Sequence, residues 1–182
     1  LGGAFEQGNW TGTLLWDAAL HATAHILGSV DWAEAVRASA CVLELGAGLG
    51  LPALACAALG APRVVASDRA PQVLGLLREN VLRNFGGGPA VAVEELDWSA
   101  SAARALPGKL GVPRIDVVIC CDCILRKFFG AAEAMAEFLG ALAGAHAELR
   151  VLLASELRPD CGVWAFLARA AEDFAVRRVD AV

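Results

Sequence analysis

The sequence predicts an α/β fold, a parallel sheet with helices on both faces. Three observations predict it. After residue 40, short apolar runs alternate with longer segments of helical periodicity. The run Ile115-Asp116-Val117-Val118-Ile119-Cys120-Cys121 is nearly all apolar, as a strand buried on both faces must be. Val42-Leu43-Glu44-Leu45 opens into Gly46-Ala47-Gly48-Leu49-Gly50, and Pro52 follows where a first helical turn tolerates it.

Taken in order, residues 1–40 form a helical segment, with helices expected at 13–28 and 32–38. Asp31 and Glu34 have the spacing of a capping box for the second. Strands are expected at 41–45, 63–67, 90–96, 115–121, 149–155 and 174–181. Helices are expected at 51–59, 71–84, 99–106, 127–143 and 162–172. Three of these helices carry an apolar stripe at helical spacing: Leu74, Leu77 and Val81; Met135, Phe138, Leu139 and Leu142; Val163, Phe166, Leu167 and Ala170. Such stripes are core. The glycine- and proline-rich stretches 85–89 and 106–114 read as loops. No internal repeat or boundary interrupts the pattern, so residues 1–182 read as one domain.

Composition narrows the function. The net charge is −5 and the lysines are Lys109 and Lys127, which argues against a nonspecific nucleic-acid surface. Leu45–Pro62 is an uncharged run of 18 residues, but its glycines and Pro52 divide it into strand end, loop and helix rather than a membrane span. No signal-peptide pattern opens the chain. Six cysteines, three of them in or at the end of apolar strands, read as reduced thiols in a cytoplasmic or nuclear protein. His21 and His25 lie one helical turn apart, but Ala22 stands where a zincin glutamate would be, and no metal is expected.

The glycine spacing discriminates among cofactors. A dinucleotide fingerprint needs a third glycine at position 51, which is Leu51, and the Gly-Lys-Ser/Thr of a P-loop is missing. The pattern here is E-x-G-x-G-x-G. On its own it marks either a cofactor loop or a tight strand–helix turn. Asp68 ends the second strand 24 residues after Glu44, near the spacing of an acid that holds a ribose diol; helix capping is the other reading.

Four more pieces fall at strand ends or just ahead of the sheet. They are Thr13-Leu14-Leu15-Trp16-Asp17-Ala18-Ala19-Leu20, Glu94-Glu95-Leu96-Asp97-Trp98, Cys120-Cys121-Asp122-Cys123-Ile124-Leu125 and Ala154-Ser155-Glu156-Leu157-Arg158. In this order, with the glycine loop, the chain from Trp10 to Val179 resembles the family 16 methyltransferases, especially the methyltransferase-like 21 group of protein-lysine methyltransferases. The resemblance implies a Rossmann-like fold that binds S-adenosylmethionine (SAM), with Glu44 opening the cofactor loop. Trp16 would pack on the cofactor, and Gly46, Ala47 and Gly48 would wrap its methionine part. Asp68 would hold the ribose, and Trp98 and Cys121 would flank the adenine. Asp122 would open the family's D-x-x-Y motif at the substrate mouth; as a helix cap it would have a purely structural role.

The chain departs from the family at Leu125, where the motif has tyrosine; it contains no tyrosine at all. The family's closing strand hairpin is also incomplete, with strand 174–181 and nothing after it. The expected function is methyl transfer to a protein side-chain nitrogen, that of lysine, by a monomer that binds neither membrane nor nucleic acid. A non-catalytic SAM- or protein-binding module and a small-molecule methyltransferase are the alternatives. Arg158 either meets an acidic feature of the substrate or braces its loop through Glu156.

Overall fold

The computed structural model describes residues 11–86, 91–124, 131–159 and 161–179. After a short 3-10 turn at Thr11–Thr13, helices α1 (Asp17–Gly28) and α2 (Val30–Ala38) precede the sheet. Then come β1 (Val42–Leu45), α3 (Leu51–Ala58), β2 (Val64–Asp68), α4 (Pro71–Phe85), β3 (Val91–Glu95) and α5 (Ala100–Leu110). The chain continues through β4 (Val117–Cys121), α6 (Ala131–Ala145), β5 (Arg150–Ala154) and α7 (Val163–Ala170).

The five strands are all parallel, in the order β3-β2-β1-β4-β5. The strand order reverses between β1 and β4, which opens a crevice at their carboxyl ends. Strand side chains alternate between two cores. Leu43, Leu45, Val118 and Cys120 pack with α5, α6 and α7 on one face. Val42, Val64, Ala66, Val117 and Ile119 pack with α1 to α4 on the other. The predicted stripes face the core: Leu74, Leu77 and Val81 in α4, Met135, Phe138, Leu139 and Leu142 in α6, and Val163, Phe166 and Ala170 in α7 are buried, and Leu167 is half-buried against the same core. Among the described residues, no helix is long and apolar enough to cross a membrane.

Four expectations are corrected. The first helix begins at Asp17 rather than 13, because Trp16 turns back and its indole Nε1 donates to the Thr11 carbonyl at 2.9 Å. The second begins at Val30 with Ser29 as its cap, Ser29 Oγ accepting from Trp32 N at 3.3 Å. Asp31 instead faces Arg150 of β5 in a two-armed pair whose longer arm is 3.1 Å, and the Arg150 guanidinium lies 4.5 Å from the centre of the Trp32 ring. That pair joins α2 to β5 across the surface, and the cap is supplied by Ser29 one position ahead of the helix. Helix α5 continues through Pro107 to Leu110, where a loop was expected. Proline inside a helix costs about 3 kcal/mol, but stopping at Leu106 would expose Leu110, which is buried beside it.

The fourth correction concerns the strand expected at 174–181. Residues 174–179 form no strand, and 180–182 lie outside the described residues. Phe174 packs on the α5–α6–α7 core while Val176 and Val179 stand exposed. A strand needs a neighbour for its N–H and C=O groups, and among the described residues β5 pairs with β4 alone. The predicted start of α6 at 127–130 and Leu125 also lie outside the described residues.

Candidate cofactor and acceptor site

Trp16, Glu44, Gly46, Ala47, Gly48, Asp68, Trp98, Cys121 and Asp122 all line one cavity of about 240 Å³ at the carboxyl ends of the strands. Trp16 comes from the segment ahead of α1. Glu44, Gly46, Ala47 and Gly48 come from the end of β1 and its loop, and Asp68 ends β2. Trp98 follows β3, and Cys121 and Asp122 end β4. Parallel register makes this convergence possible: Leu45 lies opposite Ser67 on one side and Cys120 on the other, so the strand ends are level. Sequence reasoning did not single out Leu14, Leu15, Val73 and Leu96, which supply apolar wall. Leu14, Leu15 and Leu96 lie within the motif segments but have no role of their own there, and Val73 looks like any other core valine.

The glycine loop is wound tightly, with Gly46, Gly48 and Gly50 at φ of +60°, +55° and +81°. That is the left-handed region, which favours glycine. The space left by their missing side chains is taken by protein. A Cβ on Gly46 would come 3.0 Å from Cys123 Cβ, and one on Gly48 would come 3.1 Å from the Gly12 carbonyl oxygen. The glycines therefore shape the loop and let the segment before α1 close over it. Gly48→Val is accordingly expected to lose cofactor binding and to lower the melting temperature by roughly 2–8 °C, the scale of ~1–2 kcal/mol in a chain of this size. Calorimetry and a thermal melt check both. Unchanged affinity would assign the loop to turn formation alone.

Glu44 is buried, and its Oε2 accepts from the N–H of Ala53 in the first turn of α3 at 2.8 Å. Burial pushes its carboxyl up to about 8, against the favourable Ala53 N–H and with help from the charge of Asp68. Glu44 is thus a neutral acid at pH 7 in the cavity wall. The folded state retains this proton where the unfolded chain releases it. Its stabilising contribution is present below about 4.5 and is lost as pH rises to about 8. Glu44→Gln keeps an acceptor for Ala53 and cannot ionise. Melts across the pH range are expected to show the variant gaining several degrees over the unmutated protein above pH ~8, with little difference near pH ~5. A constant difference at both would mean that Glu44 does not titrate in this window.

Asp68 is tied into backbone. Its Oδ2 accepts from Gly48 N at 3.1 Å, and its Oδ1 from Arg69 N at 2.8 Å and Ala70 N at 3.3 Å. A carboxylate offers about four acceptor positions, so one remains on Oδ2, at the cavity. The capping and cofactor readings of Asp68 are therefore compatible.

Asp122 takes the left-handed φ of +50°, a conformation that aspartate adopts more readily than most residues. Its N–H donates to Ala154 O at 2.9 Å. Its Oδ1 accepts from Ser155 Oγ at 3.0 Å and Glu156 N at 2.9 Å. Its Oδ2 accepts from Arg158 Nη2 at 2.9 Å. Arg158 also pairs with Glu156 and lies 5.3 Å from the centre of the Trp16 ring. Of the two readings of Arg158, the brace with Glu156 is present, and its pairing with Asp122 has no signature in the local sequence.

The six cysteines are free. Burial pushes the Cys41 thiol up to about 11, and burial with the charge of Glu44 pushes Cys56 up to about 12. Burial likewise raises Cys121, so these are protonated packing groups rather than nucleophiles. His25 meets Trp32 edge-on at 6.3 Å. Among the described residues, no group of three side chains is arranged to hold a metal ion.

A glycine turn and an acid on neighbouring strand ends, over the crevice where strand order reverses, define an open α/β protein of the nucleotide-cofactor type. The family described as lysine methyltransferase matches residues 4–172, and the chain belongs to that family. Among curated relatives, it is 30% identical to "Secreted RxLR effector protein 48" of Plasmopara viticola over 65% of this chain and 64% of that one. It is 36% identical to human "Protein-lysine N-methyltransferase EEF2KMT" over 62% of this chain and 35% of the human protein. The chain therefore spans between about a third and two thirds of these relatives' length. The solved structure of a proposed RNA methyltransferase from Pyrococcus horikoshii superposes with a TM-score of 0.53 over 83% of this chain and 64% of its own, at 22% identity. That likeness concerns the fold.

Proposed function

We propose that this protein transfers a methyl group from SAM to the side-chain nitrogen of a protein lysine. One observation carries the reading. In a member of the lysine methyltransferase family, residues from four strand ends and the segment before α1 meet at a single cavity. The residues present suit SAM. Asp68 has an acceptor position left for a ribose hydroxyl. Trp98, Leu96 and Val73 offer flat and aliphatic surface for a base, and Trp16 closes the wall beside the glycine loop. Cys121 would lie along the base, and Glu44, Gly46, Ala47 and Gly48 would meet the methionine part. When bound, SAM supplies a methyl group on a positive sulfonium.

The chain's own part is binding and alignment, which together can lower a barrier by ~7–11 kcal/mol in favourable cases. The acceptor must arrive neutral, and at a reference pKa of ~10.4 only about 0.1% of lysine side chains are neutral near physiological pH. A dry mouth and a nearby sulfonium both favour loss of that proton. Asp122, at the cavity wall, would orient the amine through the acceptor position left on its Oδ2. We extend the proposal to a monomer in the cytoplasm or nucleus that acts on a protein substrate.

A second reading, SAM binding without transfer, draws on one observation. Asp122 already accepts hydrogen bonds from Ser155, Glu156 and Arg158. Incubation with radiolabelled SAM and a cell extract, followed by mass spectrometry of the labelled protein, separates the two. Label on a lysine is the expected result. Tight SAM binding with no labelled protein would favour the second reading, and binding of NAD but not SAM would overturn both.

A further inference from the structure

Arg158 stands behind the cavity wall and touches two of its members, Asp122 through a 2.9 Å hydrogen bond and Trp16 through the face of its ring. We propose that Arg158 is a positioning residue that acts through Asp122: its fixed charge cancels the carboxylate at the mouth, so that Asp122 orients an arriving amine without holding it in the protonated, unreactive form. This rests on the amine-methylation reading above.

An acid that attracts an amine also works against its methylation. A lysine amine reacts only with its lone pair free: the N–C bond forms as the C–S bond breaks, the sulfur keeps the bonding pair, and the amine proton goes to solvent. A bare carboxylate close to an ammonium raises the ammonium's pKa, by ~1–3 units within ~4–6 Å. Each unit removes about nine tenths of the neutral amine at a given pH below that pKa. The carboxylate that attracts the acceptor would thus also disarm it.

The structure places a remedy at this point. The Asp122 side chain is only 3% exposed, so solvent screens it poorly. Its partner is an arginine, which stays charged at any physiological pH. Arg158 pairs with Asp122 and Glu156 together. Glu156 is 67% exposed and faces water, so its charge is largely screened. The other charged groups in the wall come from different strand ends. Glu44 of β1 is neutral at pH 7. Asp68 ends β2 and is bonded to three backbone N–H groups, with Arg69 beside it. Asp97 follows β3 and is exposed. On β4 the thiol of Cys121, next to Asp122, is raised by burial and uncharged. The charge bonded to Asp122 is that of Arg158.

The test separates charge from bracing. Binding of S-adenosylhomocysteine to the unmutated protein is measured first; its absence removes the methyltransferase reading itself. The loaded protein is then titrated with n-butylammonium chloride near pH ~7 and followed by NMR. Arg158→Gln, which keeps a hydrogen-bond donor and loses the charge, is expected to bind this cation at least ~5-fold tighter than the unmutated protein. Arg158→Lys should stay within ~2-fold, and Asp122→Asn added to Arg158→Gln should abolish the gain. No gain for Arg158→Gln, or a gain that survives Asp122→Asn, overturns the proposal. In the second arm, methyl transfer into the labelled extract protein is followed between roughly pH 6.5 and 10. Arg158→Gln is expected to be ~10-fold slower near pH ~7 and to recover at high pH, its profile displaced upward by about one unit. The same loss at every pH would make Arg158 a brace and nothing more.

Discussion

Replacing Asp68 with alanine is expected to weaken SAM and S-adenosylhomocysteine binding by at least ~30-fold. Two losses add up. The first is the hydrogen bond to the ribose, worth roughly 1.5–3 kcal/mol when one partner is charged. The second is internal: Asp68 accepts from Gly48 N at 3.1 Å and so ties the glycine loop to the end of β2. Without it, the loop must be ordered by the cofactor, and that cost is subtracted from affinity. From a micromolar starting point of about −8 kcal/mol, a loss on this scale brings the dissociation constant to tens of micromolar or weaker. Asp68→Asn is expected to be nearly as damaging, since an amide has one oxygen. Its NH₂ must face either Gly48 N–H or the N–H groups of Arg69 and Ala70, all of them donors. Calorimetry on both variants checks this. Unchanged dissociation constants would confine Asp68 to its backbone bonds.

The second large effect is expected at Asp122. Asp122→Asn should leave SAM affinity within about threefold and lower methyl transfer by ~100-fold or more, the scale of a lost positioning group. Asparagine is the informative replacement. It tolerates the φ of +50° and can still accept from Ser155 and Glu156. It loses the charge that faces Arg158 and the remaining acceptor position on Oδ2. Alanine would confuse the result, because it also leaves Ser155 Oγ and Glu156 N without their acceptor and so disturbs the loop that carries Arg158. A thermal melt and single-turnover labelling on the asparagine variant keep the two effects apart. Lost cofactor binding would show that Asp122 faces the cofactor rather than the acceptor. Full activity would remove it from the chemistry.

Much of this site was legible in the sequence, for a physical reason. A strand buried on both faces must be apolar throughout, so β1, β2 and β4 could be read directly. A loop at positive φ selects glycine, so Gly46, Gly48 and Gly50 stood out. Parallel strands with right-handed crossovers put all their carboxyl ends on one edge. Residues at those ends, from Glu44 to Asp122, therefore had to meet.

What the tertiary structure alone decided are the partners. Asp31 sits at a capping position by local spacing, yet Arg150, 119 residues away, takes its carboxylate, and Ser29 caps the helix instead. Pro107 reads as a stop, but the burial of Leu110 carries the helix past it. Residues 174–179 read as strand and form none, because β-structure is made by pairing with a neighbour and not by a run's own composition. The protonation of Glu44 follows from burial among neighbours far from it in the chain. The pairing of Asp122 with Arg158, on which the acceptor chemistry turns, joins residues 36 positions apart. Local periodicity and backbone demands are written in neighbouring residues. Charge pairing, burial and strand register depend on which elements lie side by side, and that is settled only when the sheet is assembled.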